Sequence, residues 1–579
     1  MPAIPDKKWL IEPIEQGEKI AGVPALICSL LAQRGVLGRG DVEKFLNPSL
    51  EQLPAPTGMA GLEEAVAILA QVVVEKSQVL IYGDYDADGI TSTALLLSFF
   101  KEIGLACSWY IPDRATEGYG LNLAALQKLR AGLPQADSPD PLLITVDCGI
   151  SSHAEVAEAR RLGFKVIITD HHRPPAELPE AEAIINPHRK DCTFPEKNLA
   201  GVGVAFYLLI GLRTRLTELG YWPAGRQPNL KRHLDLVAIG TIADLVPLTG
   251  ANRIMVKAGL EVLSNKPRPG LMAILKNAGI TDMPISADQI AFQIAPRINA
   301  AGRVAKAGLA LEVLMAENQG EAAEPAKLLE KANNHRKELS EEIFGQACRQ
   351  AEIRLEEGGS TLVLAGETWH VGVVGLIASR IAERYHRPTV VLSCDEEGLA
   401  RGSARSVGNL DLLERIEECA ELLEKYGGHK GAAGLTIKCD LIGAFAERFE
   451  ASVNRIMEGA DLRPAIYVNL RASVSELMDR DFLEFFEKLE PFGNGNPEPV
   501  FCSMEENFSL VELQKVGKNS LRFRVNDNGT LIKGIGFGMA ELLPIIKDVP
   551  ISLAYKIFKN KFRGQTNWEI RAEDIKIID

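Results

Sequence analysis

Three aspartates spaced two apart, Asp84, Asp86 and Asp88, sit in the stretch Val79–Thr91, VLIYGDYDADGIT, just after an apolar run. Carboxylates this close repel one another unless a cation shares them. The arrangement recurs downstream. LLITVDCGI ends an apolar run on Asp147, and KVIITDHHRPP ends another on Asp170, His171 and His172. DLVAIGTIADLVPL carries Asp244 in an apolar stretch, with Asp235 upstream. Hard carboxylate oxygens with one or two imidazoles suit Mn²⁺ or Mg²⁺ better than thiolate-seeking metals. Four such clusters at one sheet edge can assemble two ions about 3.5–4 Å apart, one for an attacking water and one for the leaving oxygen of a phosphoester. Each cluster has a plainer reading alone: Asp-rich turns are common, Asp147 and Asp244 suit helix caps, and the histidine pair suits a polar turn. Their recurrence favours the metal site.

Such convergence needs a scaffold, and the pattern from about residue 60 to 265 supplies one. Apolar runs QVLIYGD, LLITVDCGI and KVIITDHH alternate with helical stretches GLEEAVAILAQVVVEK, ITSTALLLSFFKEIG and AEVAEARRLG. That alternation predicts a parallel sheet buried on both faces, whose ligands sit at the carboxyl ends of the strands. The fold class is α/β and multidomain. The expected segments are a lead-in over 1–55, a catalytic domain over 56–323, a long helix over 324–357, a smaller α/β domain over 358–455, and a β-barrel over 456–579. The helix would run ~50 Å at 1.5 Å per residue, long enough to be a strut between two domains.

Composition narrows the class. A chain of 579 residues, 46% hydrophobic and 24% charged, is globular and has several domains. Nine scattered cysteines without a Cys-x-x-Cys pair fit a reducing cytoplasm and argue against a zinc knuckle. The beginning lacks the apolar segment of a secretory signal, and LAGVGVAFYLLIGL, Leu199–Leu212, is too short for a membrane span and reads as a buried helix. A net charge of −13 means that nucleic acid would have to be held by local basic grooves and bound cations.

The second half carries such features. In APRINAAGR, small residues allow close backbone approach while Arg303 presents a planar fork to a phosphate, with Asn299 beside it; a helix-capping turn is the equal alternative. ARGSARS offers Ser403, Arg405 and Ser406 for a terminal phosphate. GGHKGAAG adds backbone N–H groups, His429 and Lys430, or is a glycine-rich turn under a helix. Between Phe508 and Arg571, eleven lysines and arginines face five acidic residues. Arg522, Arg524, Lys559, Lys561 and Arg563 alternate there with aromatics, some of which must face the core, as in a barrel that stacks bases and pairs phosphates.

In this order DYDADG, VDCGI, TDHH and GTIADLVPL resemble motifs I to IV of the DHH phosphoesterase superfamily. APRINAAGR, ARGSARS and GGHKGAAG further resemble the RecJ family of single-strand-specific DNA exonucleases. The resemblance implies that Asp84, Asp86, Asp147, His171 and Asp244 are metal ligands, Asp147 bridging two Mn²⁺ or Mg²⁺ ions, with His172 a neighbouring or phosphate-facing group. Asp88 is ambiguous, since the family's Asp-x-Asp pair fits Asp84 and Asp86 or Asp86 and Asp88. One departure stands out: many DHH phosphatases have a histidine four residues before that pair, where this chain has Leu80 or Tyr82.

The implied reaction is in-line attack of an ion-activated water on the scissile phosphorus, with His172 and Arg303 neutralising the non-bridging oxygens. Residues 358–455 would be a DHHA1 domain, the C-terminal barrel would be an oligonucleotide-binding (OB) fold, and capture of a 5′-phosphate by Arg405 would give 5′→3′ cleavage to mononucleotides. A helicase and a single-strand-binding protein are partners by analogy, and a cytoplasmic monomer is expected. The rival readings are a phosphodiesterase for short or cyclic oligonucleotides and a catalytically weak replication scaffold.

Overall fold

The computed structural model describes residues 7–12, 19–114, 116–133, 140–223, 225–457, 463–503, 508–547, 549–562 and 565–578. The chain forms two compact units, one over Leu53–Leu462 and one joining Met1–Gln52 to Arg463–Asp579.

The first unit is built on a five-stranded, wholly parallel sheet in the order Cys107–Tyr110, Val79–Gly83, Leu142–Val146, Lys165–Thr169, Ala183–Ile185. The central strands Val79–Gly83 and Leu142–Val146 are buried along their whole length, as continuous apolar runs require when helices cover both faces. Register does the positioning. Gly83 pairs with Val146, Val146 with Thr169, and Thr169 with Ile185. The next residue on each strand therefore leaves the sheet at the same level: Asp84, Asp147, Asp170 and Asn186. Strand order reverses between Val79–Gly83 and Leu142–Val146, so Asp84 and Asp147 flank the crevice where ligands bind in open α/β sheets.

Helices carry the remaining groups to this edge. Ala87–Glu102 starts there, capped by Asp86, whose side chain accepts from Asp88 N and Gly89 N. Leu234–Ala243 ends there, with Asp244 as its C-terminal cap. The apolar stretch expected to be a buried helix forms Gly201–Glu218, and no helix among the described residues is long and apolar enough to cross a membrane.

The long helix spans Gln319–Glu356, beginning earlier than the 324 read from the sequence. Asn318 caps it by accepting from Glu321 N at 3.0 Å, so Pro325 lies inside the helix instead of opening it. A second, five-stranded sheet follows in the order Leu423–His429, Ala432–Lys438, Leu399–Arg405, Thr389–Cys394, Leu362–Gly366. Helix Ile442–Met457 covers one face through Phe445 and Phe449, which pack on Val390, Leu392, Ala400 and Leu435. On the other face lies helix Val374–Tyr385.

The second unit is a seven-stranded sheet whose longest pair is the hairpin Ile551–Phe562 and Gln565–Ile577. The segment read as a separate lead-in belongs to this unit. Lys8–Ile11 pairs in parallel with Ala465–Val468, and Ile27, Leu30, Leu31, Val42 and Leu46 share a core with Phe482, Phe486, Phe501 and Tyr555. The two halves of that core are more than 400 residues apart, so no local pattern announces the pairing.

Candidate metal centre

At the sheet edge, three groups of side chains each bring one donor atom within 4.8 Å of the others: Asp84, Asp86 and Asp147; Asp88, His171 and Asp244; Asp147, His171 and His172. Asp147 and His171 are common to two groups each. His171 Nε2 lies 3.1 Å from Asp147 Oδ1, 3.5 Å from Asp244 Oδ2 and 3.9 Å from Asp88 Oδ2. All seven residues expected at the catalytic centre, Asp84, Asp86, Asp88, Asp147, His171, His172 and Asp244, thus meet at one place. Asp235 does not. It lies at the far end of its helix, where its carboxylate accepts from Arg268 Nε at 2.8 Å.

The three aspartates of the first motif divide the work. Asp84 continues the strand, Asp86 caps the helix, and Asp88 sits in the first helical turn. Asp88 also accepts from Gly201 N at 2.6 Å and Val202 N at 2.9 Å, tying the start of the Gly201–Glu218 helix to the cluster. Leu80 and Tyr82, where a histidine was absent from the motif, pack in the core, and the Tyr82 hydroxyl donates to Gly120 O at 3.2 Å.

Asp147 has a left-handed backbone, φ 61°, an uncommon conformation for a residue with a side chain and one that marks functional strain. Below it lies Gly201. A Cβ added there would stand 2.8 Å from Asp147 Cβ and 2.9 Å from its Oδ1, so only glycine leaves room for the carboxylate. Asp170 accepts from Ile150 N, His171 N, His172 N and His172 Nδ1, the last at 2.8 Å. The Tyr119 hydroxyl donates to Asp147 O at 3.1 Å and lies 3.2 Å from His172 Nδ1.

Electrostatics ask for a cation. Burial, then the charge of Asp86, holds Asp84 well above the usual carboxylate range. Burial and then Asp88 do the same to Asp147. Burial and Asp86 push Asp88 up to about 7, and burial and Asp88 push Asp244 up to about 8. Burial, then His172, lowers His171 to about 4, leaving it neutral and able to ligate. Burial would also lower His172, but the hydrogen bond and charge of Asp170 outweigh it and raise this imidazole to about 9. Asp84 Oδ1, Asp147 Oδ1 and His171 Nε2 are buried with no hydrogen-bond partner. Orphaned acceptors facing one another at this cost fit a divalent ion, and an oxygen-rich set with imidazole fits Mn²⁺ or Mg²⁺.

Around the cluster the substrate candidates separate. Asn299 Oδ1 accepts from Ala87 N at 2.8 Å, so it holds the Asp84–Asp88 turn. Gly302 permits the same packing, because a Cβ there would meet Tyr85 O at 2.6 Å. Arg303 donates to Gly372 O at 3.1 Å; burial, then Arg114 and Arg336, lowers it to about 10. Arg405 donates to Ser403 Oγ at 2.7 Å and Ser379 Oγ at 2.9 Å, and burial, then Arg114, lowers it. Ser406 donates to Leu410 O at 2.7 Å, which makes it part of a turn. His429 Nδ1 accepts from Gly431 N at 3.1 Å on an exposed strand, and the motif around it forms a hairpin across from Arg405.

Sequence reasoning gave Asp170 no role of its own and missed Tyr119, Gly201 and Arg114. Arg114 lies over the Tyr85 ring at 5.2 Å and within electrostatic reach of Asp84, Arg303 and Arg405. Only Asp170 carried a signal, as the first member of its Asp-His-His triplet.

In the other unit, Arg522 and Arg524 point from one face of strand Ser520–Asp527 while Phe523 is buried on the other. Arg524 pairs with Glu512 at 3.2 Å. Lys559 pairs with Glu487 at 2.5 Å and lies 5.4 Å from the Trp568 ring centre, so part of the basic island is internally neutralised. The Lys561 side chain and Arg563 lie outside the described residues.

Comparison with known proteins matches this arrangement domain by domain. Residues 78–241 match the DHH family, N-terminal domain; 358–455 match the DHHA1 domain; and 470–574 match the RecJ OB domain. The single-stranded-DNA-specific exonuclease RecJ of Salmonella typhimurium is 37% identical over 577 residues, covering 97% of both chains. The Mn²⁺ complex of RecJ from Thermus thermophilus superposes with a TM-score of 0.82 at 30% identity, covering 99% of this chain and 80% of that one. Its Mg²⁺ complex superposes at 0.76 and 28% identity, covering 99% and 79%. With three domain matches in the expected order and identity sustained along nearly the whole length, the chain belongs to the RecJ family.

Proposed function

We propose that this protein hydrolyses single-stranded DNA from its 5′ end to nucleoside 5′-monophosphates, using two divalent ions, Mn²⁺ or Mg²⁺. The observation that carries the reading is the meeting of five buried or half-buried aspartates and a neutral histidine, with Asp84 Oδ1, Asp147 Oδ1 and His171 Nε2 buried and without hydrogen-bond partners. Asp84, Asp86, Asp147, His171 and Asp244 are the residues that would hold the ions, with Asp88 beside them and Asp147 common to both sides of the cluster. When bound, such ions lower the pKa of a water and neutralise charge on the reacting phosphate.

The chain's own groups do the rest. Asp170 and Tyr119 fix the ring of His172, and Asp170 keeps it cationic, so that it can donate to a non-bridging phosphate oxygen. Arg303 lies on the helix that also holds the Asp84–Asp88 turn, which places a guanidinium beside the same phosphate. Ser403 and Arg405 stand at the start of helix Val374–Tyr385, where a Cβ on Gly375 would be 3.4 Å from both, and Arg114 is near. Helix N-terminus, serine and paired arginines suit a 5′-terminal phosphate. Retention of the mutually repelling carboxylates argues against a scaffold, and a basic strand face in the second unit argues for long strands over dinucleotides. An enzyme confined to single strands needs duplex opened first, which makes a helicase and a single-strand-binding protein its expected cytoplasmic partners.

End-labelled single-stranded DNA incubated with Mn²⁺, Mg²⁺ or chelator tests this reading. Release of 5′-mononucleotides from the 5′ end, only with an ion, supports it; 3′-first release or ion-independent cleavage overturns it. Arg405→Ala should erase the advantage of a 5′-phosphate over a 5′-hydroxyl.

A further inference from the structure

Two large apolar side chains stand exposed on elements that lead to the metal centre, and neither is used in the scheme above. Phe292 is 78% exposed and Leu245 67%. Leaving a phenylalanine this open forfeits most of the ~1.5–3 kcal/mol its burial would return, so a surface partner is the natural reason to present it.

Their placement is specific. Phe292 lies in a π-helical turn, Ile290–Ile294, that runs directly into helix Ala295–Val304. Single π-turns within helices concentrate at functional sites. Counting round the axis with the wider π-turn puts Phe292 on the side of Asn299 and Arg303, whereas Arg297 points elsewhere, to Glu330 at 2.6 Å. Asn299 holds Ala87 in the metal-binding turn. Seven residues at 1.5 Å each set Phe292 roughly 10 Å from it along the helix. Leu245 directly follows Asp244 and has φ 58°, a left-handed backbone that costs a branched side chain energy. The helix ending at Asp244 packs against the π-helical turn, so both side chains rise from touching elements.

Resting on the nuclease reading above, we propose that Phe292 and Leu245 form an apolar ledge on which a base of the single strand stacks, just beyond the nucleotide being cleaved. Every base has a π-face, so such a ledge grips any sequence. Phe292 stands roughly 10 Å along the helix from Asn299, which holds the metal-binding turn, so the stacked base would lie at least one nucleotide from the reacting phosphate. The ledge would hold the strand against slipping while Arg303 and the cluster engage the phosphate.

The test is Phe292→Ala in the full-length, Mn²⁺-loaded protein. On a long 5′-phosphorylated oligothymidylate its KM should rise roughly tenfold, the scale of one lost base stack, with kcat unchanged. Phe292→Trp should restore the KM, and a dinucleotide, which ends before the ledge, should be cleaved as by the unsubstituted protein. An abasic residue moved stepwise along the strand should raise KM at one position in the unsubstituted protein and at none in Phe292→Ala. An unchanged KM in Phe292→Ala, or the same abasic profile in both proteins, overturns the ledge. If the unsubstituted protein cleaves no DNA, the nuclease reading falls separately, and quenching of a 2-aminopurine strand by Phe292 but not by Ala still decides the stacking.

Discussion

His171 Nε2 and Asp147 Oδ1 lie 3.1 Å apart at the carboxyl edge of a parallel sheet, and neither has a hydrogen-bond partner. A neutral imidazole and a strained, buried carboxylate can face each other this way when each directs a lone pair at the same ion. Asp147→Ala should therefore lower hydrolysis by roughly 10³-fold or more, the several kcal/mol an ion contributes to a phosphoryl transition state. Binding of a single strand should stay measurable. Near-normal turnover in this variant would refute the two-ion scheme.

The raised carboxyls give a pH dependence of defined sign. Without ions, the folded chain keeps protons on Asp84, Asp88, Asp147 and Asp244 that the unfolded chain releases near pH 4. Stability from these groups is present at low pH and is lost as pH climbs through about 7 to 8 and above. Ions replace those protons, so their affinity should rise with pH by about tenfold per unit for each proton displaced. Thermal unfolding with and without Mn²⁺ at pH 6.5 and 8.5 checks this: the Mn²⁺-induced rise in Tm should be larger at the higher pH. A larger rise at the lower pH would contradict it.

Gly201→Ala should damage the site without removing any ion-holding group. Its methyl would press on Asp147 Cβ and Oδ1, at 2.8 and 2.9 Å, and disturb the N–H that Asp88 accepts. Mn²⁺ affinity and kcat should both fall at least tenfold, the cost of a misplaced catalytic group. Gly203→Ala is the control. On the same helix its Cβ would meet Leu199 and Met255 at 3.5 Å or more, and it should be neutral or stabilise by up to about 1 kcal/mol. Equal behaviour of the two variants, followed by Mn²⁺ titration, would remove Gly201 from the site.

Arg522→Ala combined with Arg524→Ala should weaken binding to a long single strand and flatten its salt dependence by about 0.7 in log–log slope for each phosphate no longer neutralised. Both side chains lie on the outer face of one strand, about the spacing of consecutive phosphates in an extended backbone. Cleavage of a dinucleotide should be unaffected. Fluorescence titrations at several salt concentrations measure both effects; an unchanged slope would exclude this face from binding.

The strands, their helices and the carboxylates at their ends were legible in the sequence because each is written locally. A run such as LLITVD is buried on both faces and stops at a charge, whatever surrounds it. The clusters that hold Asp84, Asp86, Asp147, His171 and Asp244 could be named for that reason, and the resemblance of their motifs to a known family singled out these five as ligands. Asp88 stayed ambiguous because the family's Asp-x-Asp pair fits two registers; its oxygens accept from Gly201 N and Val202 N at the start of helix Gly201–Glu218. Asn299 looked like a substrate group and proved to brace the turn.

What the amino-acid order determined alone is the set of elements and the chemistry of their ends, since hydrophobic periodicity and charge act over a few residues. Tertiary structure decided which ends share one level of the sheet, why glycine must stand beneath Asp147, and that the N-terminal residues complete a core begun more than 400 residues later. Those are relations between distant segments, set by register and close packing, and no local pattern encodes them.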